Sequence, residues 1–284
     1  MAVTTVRAPL PERPPGAARA ALPSLPGGWE LAVRAFRCWL VMYRRTWRSS
    51  IWSSVFGPIF YLAAMGYGLG SLVDRHGTAA LGGVPYPVFV GPAVLAVQAM
   101  NSGLSNAMFP VFGGIHWNKI YIAARATMLR PADIYRGHLL FIIMRIAMNS
   151  ACFVVVMAVF GLIKSWWGVL LLPASVLLGA AFAAPIAAWA VTLRVQTPMN
   201  YVIRFGSVPL MLFSGTFFPI SQLPGWLRPI AYATPLWHGA ALCRSLSLGT
   251  VTAGSAAIHV GYLVAMTAIG LWAGNRTFHR RPYV

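Results

Sequence analysis

Apolar runs of about twenty residues recur along this chain, and none of them contains an aspartate or a glutamate. They lie near 51–72, 87–109, 139–163, 169–193, 201–218 and 255–274. At ~1.5 Å per residue, a helix made from any of them crosses the ~30 Å hydrocarbon core of a bilayer. The sequence therefore predicts an all-α polytopic membrane protein with six transmembrane helices. Composition agrees: 58% of residues are hydrophobic and 9% charged, whereas soluble domains carry roughly a quarter charged residues.

The charges that remain are lopsided. Twenty-two Lys and Arg face four acids, Glu12, Glu30, Asp74 and Asp133, for a net charge of +18. The cations sit between apolar runs rather than on a soluble domain, so the positive-inside rule and anionic headgroups account for them, and nucleic acid is not an expected partner. Eight arginines precede the first run, and Lys119, Arg125, Arg130 and Arg136 lie between the second and third. Arg194 and Arg204 separate the fourth and fifth, and Arg276, Arg280 and Arg281 end the chain. The alternate side holds only Arg75, Lys164, Arg228 and Arg244. Both termini are therefore expected in the cytoplasm. The outer side then takes Asp74 and the interfacial pair Trp166–Trp167.

Residues 1–28 are rich in Pro, Ala, Gly and Arg and read as a disordered cytoplasmic tail without a secretory h-region. Residues 29–48 have helical periodicity. Arg34, Arg37, Arg44, Arg45 and Arg48 share one broad face, and Val33, Phe36, Leu40, Tyr43 and Trp47 form an apolar stripe. This predicts an interfacial amphipathic helix in preference to a plain inward extension of the first span, followed by a six-span transmembrane domain over 49–284.

No catalytic or metal centre is expected. Intramembrane acids that serve proton- or sodium-driven carriers are absent. Cys38, Cys152 and Cys243 are scattered, and the six histidines form no spaced ligand pair. There is no G-x-x-x-x-G-K-[ST] phosphate loop, so uphill transport needs energy from another subunit. The long connection 113–138 is the place to receive it. A short helix over 120–129 would carry Tyr121, Ala124, Arg125 and Met128 along one side, Pro131 would stop it, and Asp133 would cap the next helix.

Two features inside the runs are polar. Gln98, Ser102, Ser105 and Asn106 share a face with i, i+4, i+7 spacing, with Asn101 nearby. This seam either lines a path or bonds helices together, the latter favoured. Arg145 and Asn149 form an i, i+4 pair, with Arg145 near enough to the cytoplasmic end to snorkel to headgroups.

The stretch 205–249 begins as a span and is then broken by prolines at 209, 219, 224, 229 and 235, yet it stays apolar through Leu223, Trp226, Leu227, Ile230, Tyr232 and Leu236. Irregular backbone cannot face lipid bare, so short helices in the outer interface are expected. Pro224-Gly225-Trp226 and Thr234-Pro235 each suit a helix start.

These residues resemble a known family. Phe213-Ser214-Gly215-Thr216-Phe217-Phe218-Pro219, Leu223-Pro224-Gly225-Trp226-Leu227 and Thr234-Pro235-Leu236 are similar to the signature of membrane subunits of type-two ABC exporters. Those are the permeases of nodulation-factor, antibiotic and polysaccharide export. His238-Gly239 and Arg244 resemble the nodulation-type branch, and the similarity spans about residues 29–276.

The resemblance implies a permease of an ATP-driven exporter in a bacterial cell membrane. It moves an amphiphilic substrate such as a lipid, glycolipid, polysaccharide or drug. Its partners would be two copies of an ABC ATPase subunit, a second or paralogous permease, and membrane lipids. ATP and Mg would be bound by the ATPase and no cofactor by this chain. Residues 120–129 with Arg130, Pro131 and Asp133 would be the coupling helix and its exit. Segments 223–233 and 235–247, with Leu223, Trp226, Leu227, Pro235 and Trp237, would be short external re-entrant helices between spans five and six. Gln98, Ser102, Phe213, Phe217 and Phe218 would lie on the path or the dimer seam. One departure is that His116-Trp117-Asn118-Lys119 stands where many members have acids. The alternative reading is a non-transport assembly factor or lipid-modifying protein.

Overall fold

The computed structural model describes residues 28–72, 83–125 and 129–280, and among them every regular element is a helix. The tail before residue 28, Asp74, Arg75, Met128 and Arg281 lie outside the described residues. Helix α1 (Gly28–Tyr43) leads through a turn into α2 (Trp47–Ala63), which runs on as a π-helix, Ala64–Gly70. Then come α3 (Tyr86–His116), the short α4 (Ile120–Arg125) and α5 (Pro131–Val159). A 3-10 turn, Trp166–Leu170, opens α6 (Leu171–Ala190). Helix α7 (Thr197–Tyr201), a π-helical Val202–Ser207 and α8 (Val208–Phe213) follow one another without a break. Past a 3-10 turn at Ile220–Gln222 lie α9 (Arg228–Tyr232), α10 (Pro235–Leu248) and α11 (Ala253–Arg280).

Among the described residues, four helices are long and apolar enough to cross a membrane: Tyr86–His116, Pro131–Val159, Trp166–Ala190 and Ala253–Arg280. They coincide with the second, third, fourth and sixth predicted runs. The first and fifth runs are helical but interrupted by their π-helical segments, which contain Gly66, Gly68 and Gly70 in one case and Gly206 just before Pro209 in the other. Glycine and proline are the usual causes of such departures from the α-helical ladder. The fifth run also stops early. Helix α8 ends at Phe213 and Gly215 takes φ +71°, the left-handed region that ends helices, so Phe217 and Phe218 leave the helix that was expected to reach them.

The amphipathic segment is also redrawn. It breaks at Arg44–Thr46, where the Thr46 N–H donates to Tyr43 O. The inward face of α1 is Leu31, Ala32, Ala35, Trp39 and Tyr43, while Val33, Phe36 and Leu40 are only half-buried. Small residues decide this rotation. Ala32 and Ala35 let α1 approach α5 so closely that a Cβ on Gly137 would stand 2.6 Å from the Ala35 Cβ.

Helix α3 is the centre of the bundle, buried along nearly its whole length, and α5, α6 and α10 pack around it. Its crossing with α6 is backbone on backbone: a Cβ on Gly103 would lie 2.4 Å from the Gly179 carbonyl oxygen. Lipid offers no hydrophobic drive for helix association, so close packing of small residues carries it. At another crossing the Tyr135 hydroxyl is shared between Ala184 O and Gly270 O, each at 3.2 Å, joining α5 to α6 and α11.

Arg145, half-buried, has partners on two other helices. Its Nη1 donates to Ser50 Oγ at 3.1 Å and its guanidinium lies 4.7 Å from the Tyr43 ring centroid, so α1 and α2 enclose it on the protein side.

Candidate functional site

The connection between α3 and α5 is folded onto the bundle by its own turn chemistry. Helix α3 closes with the Trp117 and Asn118 N–H groups both donating to Gly113 O. Lys119 then takes φ +50°, a left-handed residue that reverses the chain into α4. His116 pairs through Nε2 with Leu193 O at 3.1 Å, which ties this corner to the far end of α6. Helix α5 starts at Pro131, where a missing N–H costs nothing. Buried Asp133 reaches back to accept the Arg130 N–H at 3.3 Å, so it caps the helix from inside its first turn.

Tyr121 anchors α4. It is fully buried, and its hydroxyl pairs with His138 Nδ1 on α5. The His138 ring stacks on Trp39 of α1 at 4.1 Å, and Phe278 of α11 lies 6.0 Å from the Tyr121 ring. The tyrosine also lies over Gly114 of α3, where a Cβ would stand 2.3 Å from its ring. One side chain thus locks α4 to α1, α3, α5 and α11. Tyr121 is therefore turned into the bundle rather than outward, and the side chains of Ala124 and Arg125 lie outside what the structure describes. Trp39, Gly114, His138 and Phe278 were not expected here. The signal that points to them is an aromatic or glycine at each helix end that must meet this loop.

Midway along the bundle the polar seam divides by depth. Ser102 is buried and bonded: Asn149 Nδ2 donates to Ser102 Oγ at 2.9 Å, and Ser54 Oγ donates to Asn149 Oδ1 at 2.6 Å. Asn106 Nδ2 donates to Ser102 O at 2.8 Å. Through Ser54, Asn149 and Ser102 this ladder stitches α2, α3 and α5 together. Gln98 and Asn101 instead line a cavity of about 280 Å³ between α2, α3, α5 and α8, together with Tyr61, Phe153, Met211 and Phe217. Asn101 accepts from Ser207 Oγ at 2.9 Å, which fixes the fifth helical segment beside it. The cavity offers two amide side chains, aromatic edges and apolar walls, a lining suited to an amphiphile.

At the opposite end of the bundle the broken stretch forms a cover. Thr234 caps α10, its Oγ1 accepting from Trp237 N–H at 3.3 Å, and Pro235 takes the first turn. Helix α10 closes at Gly249 with φ +77°. Leu223 is buried with Ile220 and Ala231, and Phe218, Leu227 and Trp237 pack on them. Trp226 and Phe213 stay exposed. Arg244 holds this cover to the bundle. Its Nε donates to Phe89 O at 3.2 Å and its Nη2 to Gly215 O at 3.0 Å, while the guanidinium lies 3.9 Å from the Phe89 ring centroid.

Comparison with known proteins adds the following. Residues 31–248 match the ABC-2 type transporter family. The chain is 29% identical over 254 residues to Nodulation protein J of Rhizobium leguminosarum bv. trifolii, covering 86% of this chain and 93% of that protein. It is 27% identical over 268 residues to Nodulation protein J of Rhizobium meliloti, covering 89% and 98%.

Proposed function

Because the chain belongs to the ABC-2 type transporter family of membrane proteins, we propose that it is the membrane-spanning permease subunit of an ATP-driven exporter in a bacterial cell membrane. Energy comes from two copies of a separate ATPase subunit, which bind the ATP and Mg. The observation that carries this reading is the Tyr121 anchor. A helix of six residues pinned into four others is shaped to pass a push from outside the membrane into the bundle.

The α4 end is cytoplasmic in this reading. Trp39, Tyr121, His138 and Phe278 meet there, so α1 and the end of α11 share that side with most of the cations. The segments 47–72 and 197–213 act as the first and fifth spans. Helices α9 and α10 then form the outer cover. The Gln98 cavity is part of an amphiphile's path, and exposed Phe213 lies at the seam with a second permease copy or a paralogue.

The reading is tested by docking. Reversing charge and bulk at Ala124, Arg125 and Arg130 together should abolish co-purification of the ATPase while the permease still inserts and elutes as the parent does. Capture of the ATPase at parental yield by that triple variant would overturn the assignment of α4 as the docking element.

A further inference from the structure

A second groove shares no residue with the Gln98 cavity. It lies at the α10 end between α6, α10 and α11, encloses about 560 Å³, and is lined by residues that include Trp167, Leu170, Leu177, Leu246, Ala256 and Val260. That size falls within the roughly 300–1,000 Å³ typical of ligand sites. Its walls carry one hydroxyl side chain, Thr252, and no charge.

The groove is a gap between two helices otherwise joined. Near the start of α10, His238 Nδ1 meets His259 Nδ1 at 2.8 Å, and Tyr262 Oη donates to Ala233 O at 2.7 Å. Toward the end of α10, the faces of Leu242 and Leu246 open onto the groove instead. Val169, between the lining Trp167 and Leu170 in the chain, is exposed, and in a membrane protein such a residue faces acyl chains. Exposed Trp166 and Trp167 set its depth at the membrane–water interface, where such rings collect.

A cation lies close to the groove along the chain, three residues before the lining Trp167. Lys164 is exposed and its backbone N–H donates at 3.0 Å to Ser247 O, next to Leu246. The acids among the described residues, Glu30 and Asp133, lie at the opposite end, in α1 and the first turn of α5.

We propose that this groove holds one acyl chain of an anionic bilayer phospholipid, with the headgroup phosphate at Lys164. The lipid is a resident wedge between α10 and α11 rather than cargo. The inference rests on the membrane placement of the chain but not on its coupling to an ATPase.

Native mass spectrometry of the permease, released from nanodiscs containing equal phosphatidylglycerol and phosphatidylcholine, tests it. The parent should retain phosphatidylglycerol about fivefold over phosphatidylcholine, the order expected of one lysine near an anionic headgroup. Lys164→Gln should keep bound lipid but lose the preference. Ala256→Trp should fill the groove and remove most retained lipid of both kinds; Val260→Trp serves if that variant does not insert. Unchanged retention in the groove-filled variant, or no headgroup preference in the parent, would overturn the proposal. So would loss of a permease dimer in that variant with lipid retention intact, which would give the groove to a second copy. No ATPase is present in this experiment, so its failure leaves the exporter reading standing, and the failure of that reading leaves this one.

Discussion

Tyr121→Ala is expected to reduce ATP-driven transport by about tenfold or more while the permease still inserts and still binds its ATPase. Emptying a fully packed aromatic site costs about 3–5 kcal/mol, and every ~1.4 kcal/mol taken from the seated position of α4 shifts its occupancy tenfold. The vacated space lies between Gly114, His138 and Phe278, on three helices. Helix α4, only six residues long, has no other fully buried side chain among those described to hold it there. Tyr121→Phe keeps the packing and loses only the bond to His138, a change of about 1 kcal/mol, so its transport should fall several-fold less. Transport assays in proteoliposomes, paired with ATPase co-purification, read both. A Tyr121→Ala variant with parental transport would show that α4 is not held through this side chain.

The second large effect is at Arg244. Replacement by leucine or methionine removes the donors to Phe89 O and Gly215 O, which lie in the start of α3 and in the turn after α8. Removing this part-buried charged donor strands two carbonyls and costs about 1–3 kcal/mol. Helix α10 should then loosen from the bundle, and thermal unfolding in detergent should shift down by several degrees. Arg244→Lys should recover little, because an ammonium cannot reproduce the planar fork that reaches two carbonyls while stacking on Phe89. Parental melting of the leucine variant would mean the contact does not hold the cover.

Much of the frame was legible in the residues. Thr234-Pro235 and Gly249 bound α10 because a hydroxyl cap, a first-turn proline and a left-handed glycine are local devices that need no tertiary context. Pro131 and Asp133 mark the start of α5 for the same reason. Four long apolar runs became four long apolar helices.

What escaped depends on partners far along the chain. The stripe on 29–48 was read by size and greasiness, but lipid-embedded helices approach through small residues, so Ala32 and Ala35 outrank Phe36 and Leu40. Tyr121 was placed on a row with Ala124 and Arg125 by spacing alone. Its burial is decided by Gly114 and Phe278, one on the preceding helix and one 157 positions later, as the numbering shows. Nearness to the end of its run points Arg145 to headgroups, and spacing cannot show the partners it finds, Ser50 on α2 and Tyr43 on α1. The seam at Gln98 and Ser102 was one face in sequence and two environments in space, because Asn149 reaches only Ser102.

The claim that matters most is that energy enters this chain from a nucleotide-hydrolysing partner. The direct measurement is transport of an amphiphilic substrate in proteoliposomes holding the permease with its ATPase, with no ion gradient imposed. The account predicts transport that starts on adding ATP and Mg and stops when the ATPase is inactivated. Transport that persists without ATP and collapses when a proton gradient is dissipated would contradict it.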